Sequence, residues 1–270
     1  MPRRLTFFEQ VRGRGESLFL DGGDFLLGTP GTRPPTRADE LRAEREARAI
    51  IAAYDLCGYH AVGLGPADIQ LGVDKLRELV SKARFRTVCT NLVEKESGKP
   101  VFEATTVIEL GGVRFGIYSV MLDSLNPTYA ERVFGSKYAL TDPIAATRKA
   151  VADLRGRADV VIGLSQLNTD TNERVAAETV GLDYLIDPYA QFGTKPVWIT
   201  AVPYVIEKEG RATLARIDGQ GSRVGVLSLA FEKDRRRKGH AFREYPLEPH
   251  IFPHPDMVML LDRAKRGGAE

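Results

Sequence analysis

Short buried strands alternate with amphipathic helices along the first third of the chain, and this alternation most constrains the fold. Residues 18–21 form an apolar run that ends at Gly22-Gly23-Asp24, as a buried strand does when it enters a tight loop. Residues 37–56 are Ala-rich, charged and spaced for a long helix that closes at Gly58. The pattern repeats with strand 61–64, helix 73–83 and strand 87–89. Strand, helix, strand predicts a mostly parallel layer, whose loops after the strands are the place for chemistry.

The rest of the chain mixes hairpins with further strand–helix units. Hairpin strands are predicted at 104–110 and 113–120, a helix from Pro143 with Asp142 as its cap, strand 159–164, helix 172–179 and strand 184–186. Strands at 197–206, 211–217 and 224–231 then precede a terminal helix at 255–265. These elements predict an α/β (mixed α+β) fold, a four-layer α-β-β-α sandwich of two stacked mixed sheets with outer helices, in a single domain over residues 1–270.

Charge and cysteine usage exclude several classes of protein. The 38 Lys and Arg residues against 36 Asp and Glu leave a net charge of +2, too small for the wide positive face that unspecific nucleic-acid binding needs. The basic run Arg235 to Lys238 is therefore interpreted as a solvated hairpin tip rather than an anion site. Cys57 and Cys89 are predicted to be small buried side chains, with no disulfide or zinc framework. Nucleic acid is not an expected partner.

No segment is predicted to cross a membrane or to direct export. The longest apolar stretch, residues 113–122, is about half of the roughly 20 residues that a span needs, and Arg114 interrupts it. Glu9 and Arg12 break the N-terminal region before an apolar core of a signal peptide could form. The sequence as given predicts a cytoplasmic protein, and a periplasmic one if the native chain begins further upstream.

Eight blocks of the sequence cover residues 18–30, 58–72, 91–93, 98–100, 142–146, 160–167, 181–186 and 219–225. In this order they resemble blocks of the calcineurin-like metallophosphoesterases, in particular their 5'-nucleotidase/UDP-sugar hydrolase branch. The resemblance implies the four-layer fold over nearly the entire chain, without the second, substrate-binding domain of longer nucleotidases. It also implies phosphoric ester hydrolysis as the ancestral activity and a nucleotide or another phosphate-bearing small molecule as the ligand.

The resemblance implies a ligand set for two metal ions that this chain keeps only in Asp24. Where the family has Gly-Asn-His-Asp or Glu, this chain has Gly65-Pro66-Ala67-Asp68. Where the family has imidazole ligands in Leu-Ser-His and Gly-His-x-His, it has Gln166 in place of the first and the segment Pro188-Tyr189-Ala190-Gln191 in place of the second. The family's first motif, Asp-x-His, has no counterpart, because the chain begins about where the following helix would lie.

Two divalent ions about 3.5–4 Å apart repel each other and require a bridging carboxylate with several further ligands. Glutamine is a poor ligand for such ions and alanine is none. We therefore expect no dinuclear site and no bound cofactor. The alternative is one weakly bound Mn, Zn or Mg ion at Asp24, helped by Asp21, Asp68, Gln166 or Gln191. The expected lining of the pocket is Asp21, Pro66, Ala67, Asp68, Asn91, Gln166, Tyr189 and Gln191.

Plain structural roles compete with the functional ones. Asp24 is expected to cap its loop by accepting backbone N–H bonds, and Asp68 to cap the turn before the helix at Val73. Absence of the family's first strand would leave the edge beside residues 18–21 open. Leu5 to Phe8 as a short strand, a second subunit or partner, or a longer native chain could fill that gap.

Two functional hypotheses follow. The first is a phosphoesterase-fold binding or interaction module whose dimetal centre has decayed, which includes a protein that keeps the nucleotide cleft without cleaving. The alternative is a metal-dependent hydrolase of phosphomonoesters or nucleotides with a rebuilt mononuclear site around Asp24, Asp68, Gln166 and Gln191.

Overall fold

A computed structural model describes residues 1–26, 35–187, 204–206, 212–217 and 221–266 of the chain. Its helices are α1 (Pro2–Arg12), α2 (Arg37–Cys57), α3 (Val73–Val80), α4 (Pro127–Phe134), α5 (Pro143–Arg155), α6 (Thr169–Glu178) and α7 (Pro255–Lys265). Its strands are β1 (Leu20–Asp21), β2 (Ala61–Gly63), β3 (Arg86–Val88), β4 (Leu92–Glu94), β5 (Thr105–Leu110), β6 (Val113–Met121), β7 (Tyr138–Leu140), β8 (Val160–Gln166), β9 (Tyr184–Asp187), β10 (Tyr204–Ile206), β11 (Thr213–Arg216), β12 (Arg223–Phe231) and β13 (Arg237–Pro246).

Two sheets carry the architecture. The first is parallel, in the order β1-β2-β3, and the second is mixed, in the order β10-β11-β9-β8-β6-β5. Parallel pairing joins β6, β8, β9 and β11, while β5 and β10 are antiparallel to their neighbours. The pairs β4-β7 and β12-β13 form separate antiparallel ribbons.

Three apolar clusters show how the layers are stacked. One packs the outer helices α1, α2, α3 and α7 against the first sheet, through residues such as Leu5, Tyr54, Leu76 and Met257. A second packs α5 and α6 against the outer face of the second sheet. The third lies between the sheets and joins side chains of β2, β3, β6, β8 and β9. This helix, sheet, sheet, helix order confirms the predicted fold class.

Helix boundaries follow local capping chemistry, so the sequence predicted several of them closely. Thr36 and Asp39 form a reciprocal capping box at the start of α2, and Gly58 closes it at φ 69°. The Asp142 carboxylate accepts the Ala145 N–H at the start of α5, as expected. The terminal helix spans the predicted residues, 255–265.

The N-terminal segment is a helix, so the possibility of a strand over Leu5 to Phe8 is wrong. Pro2 sits in the first turn, where its missing N–H costs nothing. Helical spacing turns Leu5 and Phe8 to the same side, where the Phe8 ring stacks on Phe19 at 4.1 Å. Four apolar or neutral residues in a row are compatible with a helix or a strand. The helix is the element that buries Leu5 and Phe8 against the first sheet.

The hairpin of β12 and β13 lies over the inter-sheet core. Its side chains Leu227, Leu229 and Phe231 join the cluster that contains Leu18 and Leu20 at the edge of the first sheet. Residues 232–236 form the turn between the two strands, which confirms that the basic run belongs to a hairpin tip. Within the described ranges, no helix combines the length and apolarity required to pass through a bilayer.

Candidate functional site

The loops after β1 and β2 touch each other, and two glycines permit the contact. A Cβ at Gly23, whose φ is 110°, would come within 2.7 Å of the Leu64 carbonyl carbon. A side chain at Gly65 would collide with the Asp24 carboxylate. The glycines of both motifs are thus explained by close backbone approach.

Asp68 is the anchor of this contact. Its buried carboxylate accepts four hydrogen bonds from backbone N–H groups of both loops. The donors are Asp24 (2.8 Å), Phe25 (2.9 Å), Leu26 (2.9 Å) and Gly65 (2.9 Å). Burial and the negative charge of Asp24 raise the pKa of Asp68 to about 7, although the N–H donors favour the carboxylate.

The expectation that Asp68 caps the turn before α3 holds in part, because its carboxylate accepts the Gly65 N–H of that turn at 2.9 Å. Helix α3 begins after Gly72, and no side chain caps it. The carboxylate also reaches the loop after β1, where the N–H groups of Asp24, Phe25 and Leu26 have no other partner among the described residues. Only the folded contact between two distant loops reveals this role.

Asp24 combines a strained backbone with one occupied and one open carboxylate oxygen. Its φ of 56° lies in the left-handed region, and its Oδ1 accepts the Ala67 N–H at 2.7 Å. The Oδ2 atom accepts no hydrogen bond from any described residue. Asp24 is solvent-exposed, yet the protein packed around its carboxyl group and the nearby Asp21 raise its pKa. The contact with Ala67 matches the backbone-capping interpretation, while a metal-ligand role stays a prediction.

Behind Asp24, a buried arginine that the sequence did not point to faces Asp21. Arg4 of α1 donates to the hydroxyl groups of Tyr59 (3.0 Å) and Tyr54 (3.4 Å), and its guanidinium lies 3.9 Å from the Asp21 carboxylate. Tyr54 in turn donates to Asp21 Oδ2 at 2.8 Å. Burial raises the pKa of Asp21, and Arg4 opposes that rise. The N-terminal helix therefore supplies a counter-charge to the back of the site.

Asn91 is fully buried and its amide serves the backbone. The Asn91 Oδ1 accepts the Met121 N–H at 3.0 Å, and the amide nitrogen donates to the carbonyls of Met121 (2.8 Å) and Thr141 (3.2 Å). This amide ties the end of β6 to the chain that follows β3 and β7. Both the oxygen and the nitrogen of the Asn91 side chain are therefore engaged in hydrogen bonds with the backbone.

Gln166 ends β8 beside Met121 of β6, at the same edge of the second sheet. Its side chain forms no hydrogen bond with any described residue. Tyr189 and Gln191 lie outside the described residues. The strand before them ends at Asp187, whose buried carboxylate pairs with Arg216 at 2.7 Å.

Tyr129 of α4 is a second residue that the sequence did not point to. Its hydroxyl donates to the Pro66 carbonyl, and burial together with the charges of Asp24 and Asp68 raises its pKa. Asn126 and Pro127 give α4 a side-chain cap and a proline in the first turn, a start signal that could have predicted the helix. Arg132 of the same helix lies over the Tyr129 ring at 5.2 Å.

Among the described residues, the two site loops offer few atoms that could bind a metal ion. Pro66 and Ala67 have no ligating side-chain atoms, and both oxygens of Asp68 are taken by backbone N–H groups. Among the described residues, no group of three or more His, Cys, Asp and Glu side chains is arranged to hold a metal ion. One open carboxylate oxygen cannot offset the repulsion of two divalent ions. What the arrangement offers is an exposed hydrogen-bond acceptor at Asp24 beside a rigid pair of loops.

The curated proteins that resemble this chain in sequence include enzymes that act on nucleotides. A 2',3'-cyclic-nucleotide 2'-phosphodiesterase/3'-nucleotidase of Yersinia enterocolitica is 24% identical over 264 residues, which are 87% of this chain and 39% of that protein. A 5'-nucleotidase of Vibrio cholerae is 23% identical over 178 residues, covering 62% of this chain and 30% of that protein. The chain thus spans two fifths or less of these relatives. No family model matches the sequence.

Solved structures reproduce the architecture. A 5'-nucleotidase precursor from Thermus thermophilus superimposes with a TM-score of 0.77 at 22% identity, over 98% of this chain and 52% of that one. A calcineurin-like phosphoesterase from Bacillus subtilis gives 0.77 at 15% identity, over 99% of this chain and 88% of that one. The chain therefore has the calcineurin-like phosphoesterase fold, and its relatives and structural neighbours include 5'-nucleotidases and other phosphoesterases.

Proposed function

We propose that this chain keeps the phosphoesterase framework and acts as a binding module rather than as a two-metal hydrolase. One observation carries the proposal: the Asp68 carboxylate and one oxygen of Asp24 are held by backbone N–H groups of the two site loops. These carboxylates hold the loops to each other, which is a structural role. A bridging carboxylate of a two-metal hydrolase shares its oxygens between the cations, and at Asp24 one of these oxygens already accepts the Ala67 N–H.

The ligand we propose is a nucleotide or another phosphate-bearing small molecule. The activities named for the relatives from Yersinia enterocolitica and Vibrio cholerae support this class. Asp24 Oδ2 suits a ligand hydroxyl or amine, and the Gln166 amide can both donate and accept. The proposed lining is Asp21, Pro66, Ala67, Gln166, Tyr189 and Gln191, while Asp68 and Asn91 are buried and hydrogen-bond the backbone.

Thermal unfolding in the presence of a nucleotide panel tests this proposal. With metal chelated by EDTA, at least one member among nucleoside mono-, di- and cyclic phosphates and UDP-sugars should raise the Tm, because a ligand of the folded state stabilises it by mass action. Gln166→Ala should reduce that rise, whereas Gln10→Ala, an exposed change on α1, should leave it intact. Absence of any rise at millimolar ligand would contradict nucleotide binding.

A mononuclear hydrolase is the second candidate, and the state of Asp24 favours it. A left-handed aspartate with one open oxygen is a strained arrangement of the kind that accumulates at functional sites. Phosphatase and nucleotidase assays with added Mn²⁺, Zn²⁺ or Mg²⁺ separate the candidates. Turnover that Asp24→Ala abolishes would overturn the binding-module proposal, and absence of turnover together with absence of stoichiometric metal would end the hydrolase.

We also propose that a second copy or a partner covers the edge of the first sheet at β1. Among the described strands, β2 is the one that pairs with β1. An open edge favours association, because its backbone groups can pair with another strand. Light scattering coupled to size exclusion tests this: a mass of one chain at all concentrations would exclude a second copy as the cover.

A further inference from the structure

A group of cationic side chains, which we call the basic end, lies at the start of β8 and β9. The C-terminal ends of these parallel strands lie at the candidate site. The basic end is therefore at the other end of the same strands, where they begin. Two acidic residues, Asp159 and Asp183, precede the two strands and organise the group. The cationic members are Arg114, Arg155, Arg157, Arg235, Arg236, Arg237 and Lys238.

Asp159 is shared by two arginines. Arg114 binds it through two atoms, with Nη2 at 2.8 Å from Oδ1 and Nε at 3.1 Å from Oδ2. Arg235, from the hairpin tip, lies 3.8 Å from Oδ2. Arg235 adopts a φ of 68°, a left-handed conformation that is strained for an arginine. The turn therefore holds this side chain against the sheet at the expense of backbone strain.

Asp183 repeats the arrangement. Arg155 Nη2 lies 2.7 Å from Oδ2, and Arg237 of the hairpin lies 3.5 Å from Oδ1. The Arg237 guanidinium also lies over the Tyr184 ring at 5.0 Å. Two carboxylates thus position four guanidinium groups on one surface, and each guanidinium keeps N–H donors that these contacts do not use.

Charge at this end exceeds that of the whole chain. Arg157, Arg236 and Lys238 are exposed and form no ion pair with a described residue. The acidic residues of the same turns and strand starts are Asp159, Asp183, Glu232 and Asp234. Lys233 of the turn adds a cation and Glu109 beside Arg114 adds a carboxylate, so eight cations face five carboxylates. This excess of three is larger than the net charge of +2 for the chain.

An apolar side chain stands among these arginines. Val180 is 95% exposed in the turn between α6 and β9. Its neighbour Gly181 accepts a hydrogen bond from Arg155 through its carbonyl oxygen. Burial of this exposed valine by a partner that also contacts the guanidinium groups is favourable, since the cores of protein interfaces combine arginine with apolar contacts.

We propose that the basic end is a docking surface for an acidic segment of a protein partner, with Val180 as its apolar contact. Guanidinium groups pair with carboxylates through two parallel hydrogen bonds, and here Asp159 and Asp183 hold them in place before binding. Five carboxylates interspersed among the cations disfavour the uniform negative charge of a nucleic acid or an anionic membrane. The surface is separate from the nucleotide-binding proposal.

Fluorescence anisotropy of a labelled peptide, rich in glutamate with single leucines between the acidic residues, tests the docking surface. At about 50 mM NaCl the native protein should bind this peptide, and the double variant Arg236→Glu with Lys238→Glu should weaken binding at least about tenfold. Val180→Ser should weaken it about threefold. The matched control, Arg45→Glu with Lys99→Glu, makes the same change of net charge at exposed positions without ion pairs among the described residues.

Four results would overturn the proposal. They are absence of peptide binding to the native protein, equal weakening by the control pair, unchanged binding by the hairpin variant, and tighter binding of phosphatidylglycerol vesicles or duplex DNA than of the peptide. Thermal unfolding of each variant checks that it is folded, which the exposed positions of Arg236 in the turn and Lys238 near the start of β13 favour.

Discussion

The backbone N–H of Asp24 donates a 2.8 Å hydrogen bond to Asp68 Oδ2, across 44 positions of the sequence. Asp24 returns the contact, since its own Oδ1 accepts the N–H of Ala67 beside Asp68. The two loops that follow β1 and β2 are thereby fastened to each other by their own carboxylates. Both carboxylates therefore have a structural role in holding the loops together.

Asp68→Ala should destabilise the protein more than the same substitution of an exposed aspartate does. Removal of the carboxylate leaves four N–H groups without their acceptor, and unsatisfied buried donors cost about 1–3 kcal/mol each before water enters the space. We expect the free energy of unfolding to fall by about 3 kcal/mol or more, measured by urea denaturation. Asp123→Ala, at an exposed position, is the control. Equal effects of the two changes would refute the anchoring role of Asp68.

Arg4→Met tests the counter-charge behind the site. The change leaves the Asp21 carboxylate without its guanidinium and should cost about 3 kcal/mol, as when one partner of a buried pair is removed. Asp21→Asn in the same chain should recover part of this loss, with a coupling of at least about 1 kcal/mol between the two changes. Arg14→Met, which is exposed, should be nearly neutral. Strict additivity of the Arg4 and Asp21 changes would contradict the pairing.

The fold was predictable where local chemistry decides it. Helices α2 and α5 begin at side-chain caps, and the strands β5 and β6 are joined by a turn at Gly111-Gly112. Each of these boundaries is determined by residues close to it in the sequence. The sequence did not decide between a helix and a strand in the region of α1, because a short apolar run fits either element equally. The small ribbon of β4 and β7 was not predicted, since its partners are separated by more than 40 residues.

The candidate site was predictable in its loops and not in its contacts. The motifs at Asp24 and Asp68 located the two loops, because glycines and aspartates mark tight turns after strands. The four N–H partners of Asp68, the approach of Arg4 to Asp21 and the bond from Tyr129 to Pro66 all join distant segments. Residue type alone gives no pairing for such contacts.

Asp159→Asn should change the acid stability of the protein. Hydrogen bonds from Arg114 hold the pKa of Asp159 at about 2, below the usual value near 3.8. A lowered pKa contributes stability above about pH 4, and that contribution is lost as the pH falls toward 2. Because Arg114 is partly exposed, we expect a difference on the order of 1 kcal/mol between native and variant protein at neutral pH. Unfolding by urea at several pH values measures it, and a difference that does not shrink between pH 4 and pH 2 would refute the assignment.

Both cysteines should be unreactive in the folded protein. Cys57 and Cys89 are fully buried, and burial raises the pKa of Cys57 to about 11 and that of Cys89 to about 12. An aromatic disulfide reagent at pH 8 should therefore label less than about a tenth of the thiols within minutes, since the thiolate is the reactive form. Both should react after denaturation in guanidinium chloride. Rapid labelling of the native protein would contradict their burial.

Metal content is the most direct test of the central claim, that the site carboxylates hold loops rather than a pair of cations. The protein is incubated with Mn²⁺, Zn²⁺ or Mg²⁺, freed of unbound metal and analysed by mass spectrometry with an inductively coupled plasma source. We predict well below one ion per chain, the same for native protein and Asp24→Ala. Two ions per chain in the native protein, lost in Asp24→Ala, would contradict the account.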